Sequence, residues 1–228
     1  MSILGETFDY GPYAFMETYN PNYICNHTDS QGRYSFSNQP SIARDSCYAL
    51  ASALIDLFSE TELRDILNKF NDYFYDSLIE KYRKKLGFKS ALDSDYDLLL
   101  GLFEIMETER LDYTNTFRDL SMIITSSDDL KLSDNFSSWL ASYKARLGKD
   151  ENNIEQSIFV MHENNPKYIL RNYLAQSAIE DAEEGKSEKI DQLIKVLSNP
   201  FDDLGKSMEK YCKPAPKEHQ NQQLSCSS

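Results

Sequence analysis

Residues 40–87 read PSIARDSCYALASALIDLF followed by SETELRDILNKFNDYFYDSLIEKYRKKLG, and the spacing of their apolar positions decides the fold class. In the first part Ile42, Tyr48, Leu50, Leu54, Leu57 and Phe58 recur at helical steps. Ser59-Glu60-Thr61-Glu62 is then an S-x-x-E capping box. Its serine oxygen takes the N–H of the glutamate three residues on, while that glutamate reaches back to the serine N–H. Leu63, Ile66, Leu67, Phe70, Phe74, Leu78 and Tyr82 follow at steps of three and four up to Gly87, which predicts one helix of about 25 residues.

Working outward, the same periodicity predicts helices over residues 94–109, 112–124, 133–147, 151–163, 167–184 and 187–198. Pro200 stops the last of these, and a short helix is expected over 202–211. Eight glycines in 228 residues are about half the average share, which argues against a doubly wound sheet built on many tight phosphate loops. No internal repeat is present, so a solenoid is disfavoured. The chain reads as mostly α.

The two ends differ from this middle. Residues 1–38 hold three of the eight glycines, two of the seven prolines and a run of aromatics without a sustained helical period. Short extended pieces at Ser2 to Leu4 and Thr7 to Asp9, separated by Gly5-Glu6, predict a small β-hairpin. Past Tyr211 the chain turns polar, CKPAPKEHQNQQLSCSS, and is expected to be a flexible tail. Three parts follow: 1–38, a helical body over 39–211, and the tail 212–228.

Charge and composition bound the function. Thirty-seven acidic residues against 24 basic ones give a net charge of −13, which argues against nucleic acid or an anionic membrane as partner. No window reaches the roughly 18 apolar residues of a membrane span, and the N-terminus lacks a signal-peptide pattern, so a soluble, cytoplasmic protein is expected. The four cysteines, Cys25, Cys47, Cys212 and Cys226, form no C-x-x-C pair, and His27, His162 and His219 are scattered, which disfavours structural zinc. Any metal has to come through carboxylates.

Asp9 stands in Phe8-Asp9-Tyr10-Gly11-Pro12, and an Asp-aromatic-Gly element resembles the magnesium-holding Asp-Phe-Gly of protein kinases. A plain turn aspartate before Tyr-Gly-Pro is the alternative. Other residues carry competing readings of the same kind. Arg171 suits an active site, or a buried arginine paired to a carboxylate that holds the helical bundle together. His27 suits a proton shuttle or a loop-ordering hydrogen bonder. Glu180, Asp181, Glu183 and Glu184 read most simply as a solvated helix face, and the 15 tyrosines and 12 phenylalanines as core.

Several words stand in order along the chain: Asp9-Tyr10-Gly11-Pro12, Tyr19-Asn20-Pro21-Asn22-Tyr23-Ile24-Cys25-Asn26-His27, Gly32-Arg33-Tyr34, Asn38-Gln39-Pro40, Asn165-Pro166-Lys167-Tyr168-Ile169-Leu170-Arg171-Asn172-Tyr173, Asn199-Pro200-Phe201 and the terminal Ser225-Cys226-Ser227-Ser228. Together they resemble the selenoprotein O family, protein adenylyltransferases formerly classed as pseudokinases. The resemblance implies the C-terminal lobe of a kinase-like fold, with ATP and Mg2+ (or Mn2+) as cofactors. It implies transfer of AMP to Ser, Thr or Tyr hydroxyls of protein substrates, with Asp9 as the metal and ATP-phosphate ligand. It also implies that Cys226 takes the place of the selenocysteine of eukaryotic members, as in the bacterial type, and that Cys25 pairs with it as a redox latch. Four unrelated reduced thiols are the alternative.

The same resemblance implies that the catalytic loop ending Thr-Asp-Asn, and the nucleotide-binding lobe with it, lie ahead of Met1. No catalytic residue is then expected within these 228 residues. The chain is expected to be a truncated portion, inactive alone, working with a separate N-terminal lobe or surviving as a non-catalytic helical interaction module. Ile3, Leu4, Phe8, Tyr13 and Phe15 would normally pack under the missing lobe, so partner binding or aggregation through that end is expected.

Overall fold

In a computed structural model of the chain, residues 4, 6, 13–25, 28–126, 132–150 and 153–219 are described. Nine α-helices occur among them: α1 Gln39–Ser52, α2 Glu60–Asn68, α3 Phe70–Lys85, α4 Asp95–Thr108, α5 Tyr113–Ile123, α6 Asp134–Leu147, α7 Ile154–Asn164, α8 Asn172–Glu183 and α9 Glu188–Leu197. Short 3-10 turns occupy Phe36–Asn38, Lys206–Tyr211 and Lys217–His219.

Local chemistry explains where the helices begin. Ser59 caps α2 through the expected box: its Oγ accepts from the Glu62 N–H, and the Glu62 carboxylate accepts from the Ser59 N–H at 3.0 Å. Asp112, Ser133 and Asn153 cap α5, α6 and α7 in the same way, each taking the N–H three residues on. The single long helix expected over 59–86 is instead two, because α2 ends at Lys69, whose N–H donates to the Ile66 carbonyl and tightens the last turn. At the other end of α3, Gly87 turns the chain with φ +74, a left-handed conformation, and a Cβ there would lie 2.9 Å from Met161 Cγ and from the Ser157 carbonyl.

The expected N-terminal β-hairpin is corrected. The structure is 62% helical and holds no strand among the described residues. Most of the pieces assigned to the hairpin, Ser2-Ile3 and Thr7 to Asp9, lie outside the described residues. Among the described residues, extended pairing is found in the isolated antiparallel bridge between Thr18 and Asp112. There residues 17–19 find their partners in the turn ahead of α5: Tyr19 N–H donates to Leu111 O at 2.9 Å and Tyr113 N–H to Glu17 O at 2.8 Å.

The chain divides into two compact units, Met1–Tyr13 with Pro21–Leu78 and Ser225–Ser228, and Ala14–Asn20 with Ile79–Leu224. In the second unit α4 packs on α6, α5 on α7 and α8 on α9. Leu99, Leu102, Met106, Phe117, Leu120, Tyr143 and Met161 are fully buried between these helices. Two of the core's polar tips are satisfied by backbone carbonyls: Trp139 Nε1 donates to Leu98 O at 2.8 Å and the Tyr143 hydroxyl to Leu86 O at 2.7 Å. A satellite core of Tyr168, Ala178, Leu193, Val196 and Tyr211 closes the α8–α9 end. The first unit contains the turns within residues 21–25 and 28–35, α1, α2 and the start of α3.

Candidate functional site

Of the residues singled out in the sequence, Asp9, Cys226 and His27 lie outside the described residues. Cys25 is half-buried beside the turn at Pro21 and Asn22. Arg171 is where the structure concentrates buried charge. It does not lie within a helix, as the window 167–184 predicts, but is the N-cap of α8 in extended conformation, with φ −75 and ψ 143. The residues ahead of it are held straight because the Lys167 and Tyr168 N–H groups both donate to Pro200 O, at 2.7 and 3.1 Å.

The Arg171 side chain is 1% exposed, and its guanidinium joins four stretches of chain. Nη1 donates to the Glu17 carboxylate and, at 2.7 Å, to Asp112 Oδ2. Nη2 donates to Asp112 Oδ1 at 3.3 Å, to Asn115 Oδ1 at 3.2 Å and to Cys212 O at 3.5 Å. Asn115 Nδ2 reinforces the last of these by donating to Cys212 O at 3.1 Å. Residues 212–219 then lie along the second unit: the Tyr173 hydroxyl donates to Lys213 O at 3.1 Å, and its ring stacks on His219. The segment 14–20, the start of α5, the start of α8 and the strand of chain after Tyr211 are thus tied to one cation. This is the paired, bundle-holding arginine of the two alternatives.

Electrostatics fix what this junction does. Burial raises the Glu17 carboxyl above its ordinary value, and the Arg171 charge pulls it only part of the way back, with Asp112 pushing up as well. Arg171 itself keeps its proton, because the hydrogen bonds and charges of Asp112 and Glu17 outweigh the burial that disfavours it. Both carboxylates accept hydrogen bonds from a permanent cation, so the junction positions chain segments.

Aromatic groups beside it are equally inert as bases. Tyr19 stacks on Phe103 and Tyr113, and its phenol is pushed up to about 12, mainly by burial. The Tyr82 and Tyr113 hydroxyls lie 2.6 Å apart, and burial raises both. All three stay neutral at physiological pH.

One pair mimics a nucleophile and its base. Ser121 Oγ and His162 Nε2 are 2.9 Å apart. Ser121 is 3% exposed, however, and its hydroxyl donates to Arg118 O at 2.9 Å, so the imidazole is the donor and no base is left to activate the serine. Burial, with the Arg118 charge next, keeps His162 neutral by lowering its pKa. Nearby, Lys85 and Arg118 donate to the carbonyls that end α7, those of residues 162, 164 and 165, and act as a cationic C-cap.

A metal does not fit the described residues. No group of three or more His, Cys, Asp or Glu side chains converges among them in a way that holds a cation. The buried carboxylates, Glu17, Asp112, Asp95 and Asp150, are each engaged by arginine or by backbone N–H groups. Of the described functional set, Arg171 was visible in the sequence, whereas Glu17 and Asp112 gave no signal beyond being acidic. Among the described residues no helix is long and apolar enough to cross a membrane.

Comparison with known proteins supplies what the described geometry does not. The family described as protein adenylyltransferase SelO matches residues 1–198. A protein nucleotidyltransferase YdiU from Pseudomonas fluorescens strain Pf0-1 is 41% identical over 235 residues, which take in all of this chain and 48% of the relative. The protein of the same name from Photobacterium profundum is 40% identical over 247 residues, again all of this chain and 48% of the relative. That from Cupriavidus metallidurans is 36% identical over 250 residues, covering 46% of its own length. The chain spans about half the length of the curated relatives it matches.

Proposed function

This chain belongs to the protein adenylyltransferase SelO family, and from that premise we propose that it is the C-terminal portion of an enzyme that moves AMP from ATP to Ser, Thr or Tyr hydroxyls of proteins. The observation that carries this is the match of the whole chain to nucleotidyltransferases at 36–41% identity. Asp9 serves there as the carboxylate that holds Mg2+ or Mn2+ against the ATP phosphates. A lone carboxylate cannot support nucleotidyl transfer, which depends on positioning and on charge stabilisation from several sides. The chain therefore turns over only with the portion of the family protein that lies outside the matched half.

The experiment is a transfer assay with ATP labelled on its α-phosphate, Mg2+ and whole-cell protein as acceptor. The 228-residue chain by itself should give no labelled protein. Joined to the unmatched portion of the Pseudomonas fluorescens relative, it should label protein, and Asp9→Asn should abolish that. Label from the chain alone would overturn the division of labour, and a silent joined protein favours the non-catalytic interaction module.

Cys25 and Cys226 form the redox latch of the same enzyme in this proposal. Peptide mass mapping after mild oxidation should recover them in one disulfide-linked pair. Separate alkylation of both thiols under those conditions removes the latch.

A further inference from the structure

The helices of residues 36–78 have a property that the second unit does not share: not one of their residues is buried. Their sequence is nevertheless amphipathic. In α2, Leu63, Ile66 and Leu67 share one face while Glu62, Arg64 and Asp65 lie off it, yet Ile66 stays 66% exposed. The turn between α1 and α2 is stranger. Turns joining helices are ordinarily polar because solvent covers them, but this one presents Ile55, Leu57 and Phe58 at 60%, 74% and 50% exposure. Tyr48 of α1 and Tyr73 of α3 add to the same surplus of open apolar surface. Grouped exposure of large apolar residues marks an interaction surface.

Two observations choose the occupant. Residues 39–78 carry seven acidic and three basic side chains, so a second copy of this chain, itself at −13, would bring like charge to the contact. The relatives carry another half of comparable length that this chain does not match. We infer that the apolar turn 53–58, with the flanking α1 and α2, seats that other half of the family protein through an apolar patch rimmed by basic side chains. The inference rests on the function proposed above, in which that half completes the enzyme.

Hydrogen exchange read by mass spectrometry tests it, on the chain alone and on the chain joined to the unmatched portion of the Pseudomonas fluorescens relative. Peptides spanning 48–67 should exchange at least tenfold more slowly in the joined protein. The triple substitution Ile55→Ser, Leu57→Ser and Phe58→Ser should return them to the rate of the chain alone, with α4–α7 protection unchanged as the check on folding. Should the joined protein not fold, the portion made separately and added in trans reads the same peptides.

Unaltered exchange at 48–67 with α4–α7 intact overturns the inference. So does protection in the chain alone that grows with concentration alongside a dimer mass, since the occupant is then a second copy. The transfer assay separates the two claims: labelling without protection at 48–67 sinks the docking surface and spares the function, whereas protection without labelling does the reverse.

Discussion

Replacing Arg171 by methionine should lower the unfolding free energy by about 3–5 kcal/mol, the range typical of removing one partner from a buried ion pair. The methionine fills much of the arginine's volume, so the loss comes from charge. Glu17 and Asp112 would be left facing each other in a site that is closed to water on the arginine side, and Cys212 O would keep only the Asn115 donor. Urea unfolding at pH 7 measures the loss. Hydrogen exchange should show it first at residues 14–20 and 212–219, the segments that the guanidinium ties to the starts of α5 and α8.

The two carboxylates should not contribute equally. Asp112 takes two hydrogen bonds from Arg171 and also caps α5 through the Asn115 N–H at 2.8 Å, so Asp112→Ala loses pair and cap together. Glu17 is held above its ordinary pKa by burial, which means that the folded chain keeps a proton there that the unfolded chain has released. Its contribution is full below about pH 4.5 and weakens as pH rises through the higher folded value. Glu17→Gln should therefore change neutral-pH stability by no more than about 1 kcal/mol, a neutral hydrogen bond replacing a charged one. The triple change Arg171→Met, Glu17→Gln, Asp112→Asn should recover most of what Arg171→Met loses, because no buried charge is stranded. A triple variant as unstable as the single one would show that packing and not charge sets the cost.

What the sequence disclosed and what it withheld follow from how local each signal is. The Ser59–Glu62 box is written within four residues, and it appears in the structure atom for atom. The starts and ends of α4, α5, α6 and α9 fall within two residues of the periodicity for the same reason: caps and apolar steps act over a single turn. The break at Lys69 was not legible, since Phe70 and Phe74 continue the helical spacing while the backbone tightens locally. The pairing of residues 17–19 with the turn before α5 was not legible either, because its partners lie about ninety residues away and no local pattern encodes which extended piece will be chosen. Arg171 could be read as a buried, paired cation because isolated arginines in apolar words are rarely left unpaired. Its partners could not, because Glu17 is 154 residues distant in sequence. For Asp9 and Cys226 the family resemblance carried all of the reading.

The second buried network should make the chain sensitive to acid, and Asp95 is where to test it. Asp95 is fully buried at the start of α4. Its oxygens accept from Arg146 Nε at 2.5 Å, Arg83 Nε at 2.7 Å and the Leu92 N–H at 3.0 Å. Burial alone would raise this carboxyl, but the hydrogen bonds from Arg146, Leu92 and Arg83 prevail and hold it below its ordinary 3.8. Asp150, which accepts the Lys89 N–H at 2.8 Å and pairs with Arg146, is lowered in the same manner against its own burial. Near pH 4 the unfolded chain thus binds more protons at these two sites than the folded one, and stability rises with pH there. The stabilisation is present above the ordinary aspartate value and is lost as pH falls below it toward the folded values. Urea midpoints between pH 2 and 6 should drop steeply below pH 4 for the native chain. Asp95→Asn should lower the midpoint at pH 7, by an amount equivalent to about 3 kcal/mol, because Arg146 loses its closest anion in a buried site. It should also flatten the acid limb, since one of the two depressed carboxyls no longer titrates. An unchanged acid slope in the variant would mean that other carboxylates carry the acid sensitivity and that Asp95 is neutral in the fold, with Arg146 satisfied by Asp150 and by Ser90 O, 2.8 Å from its Nη2.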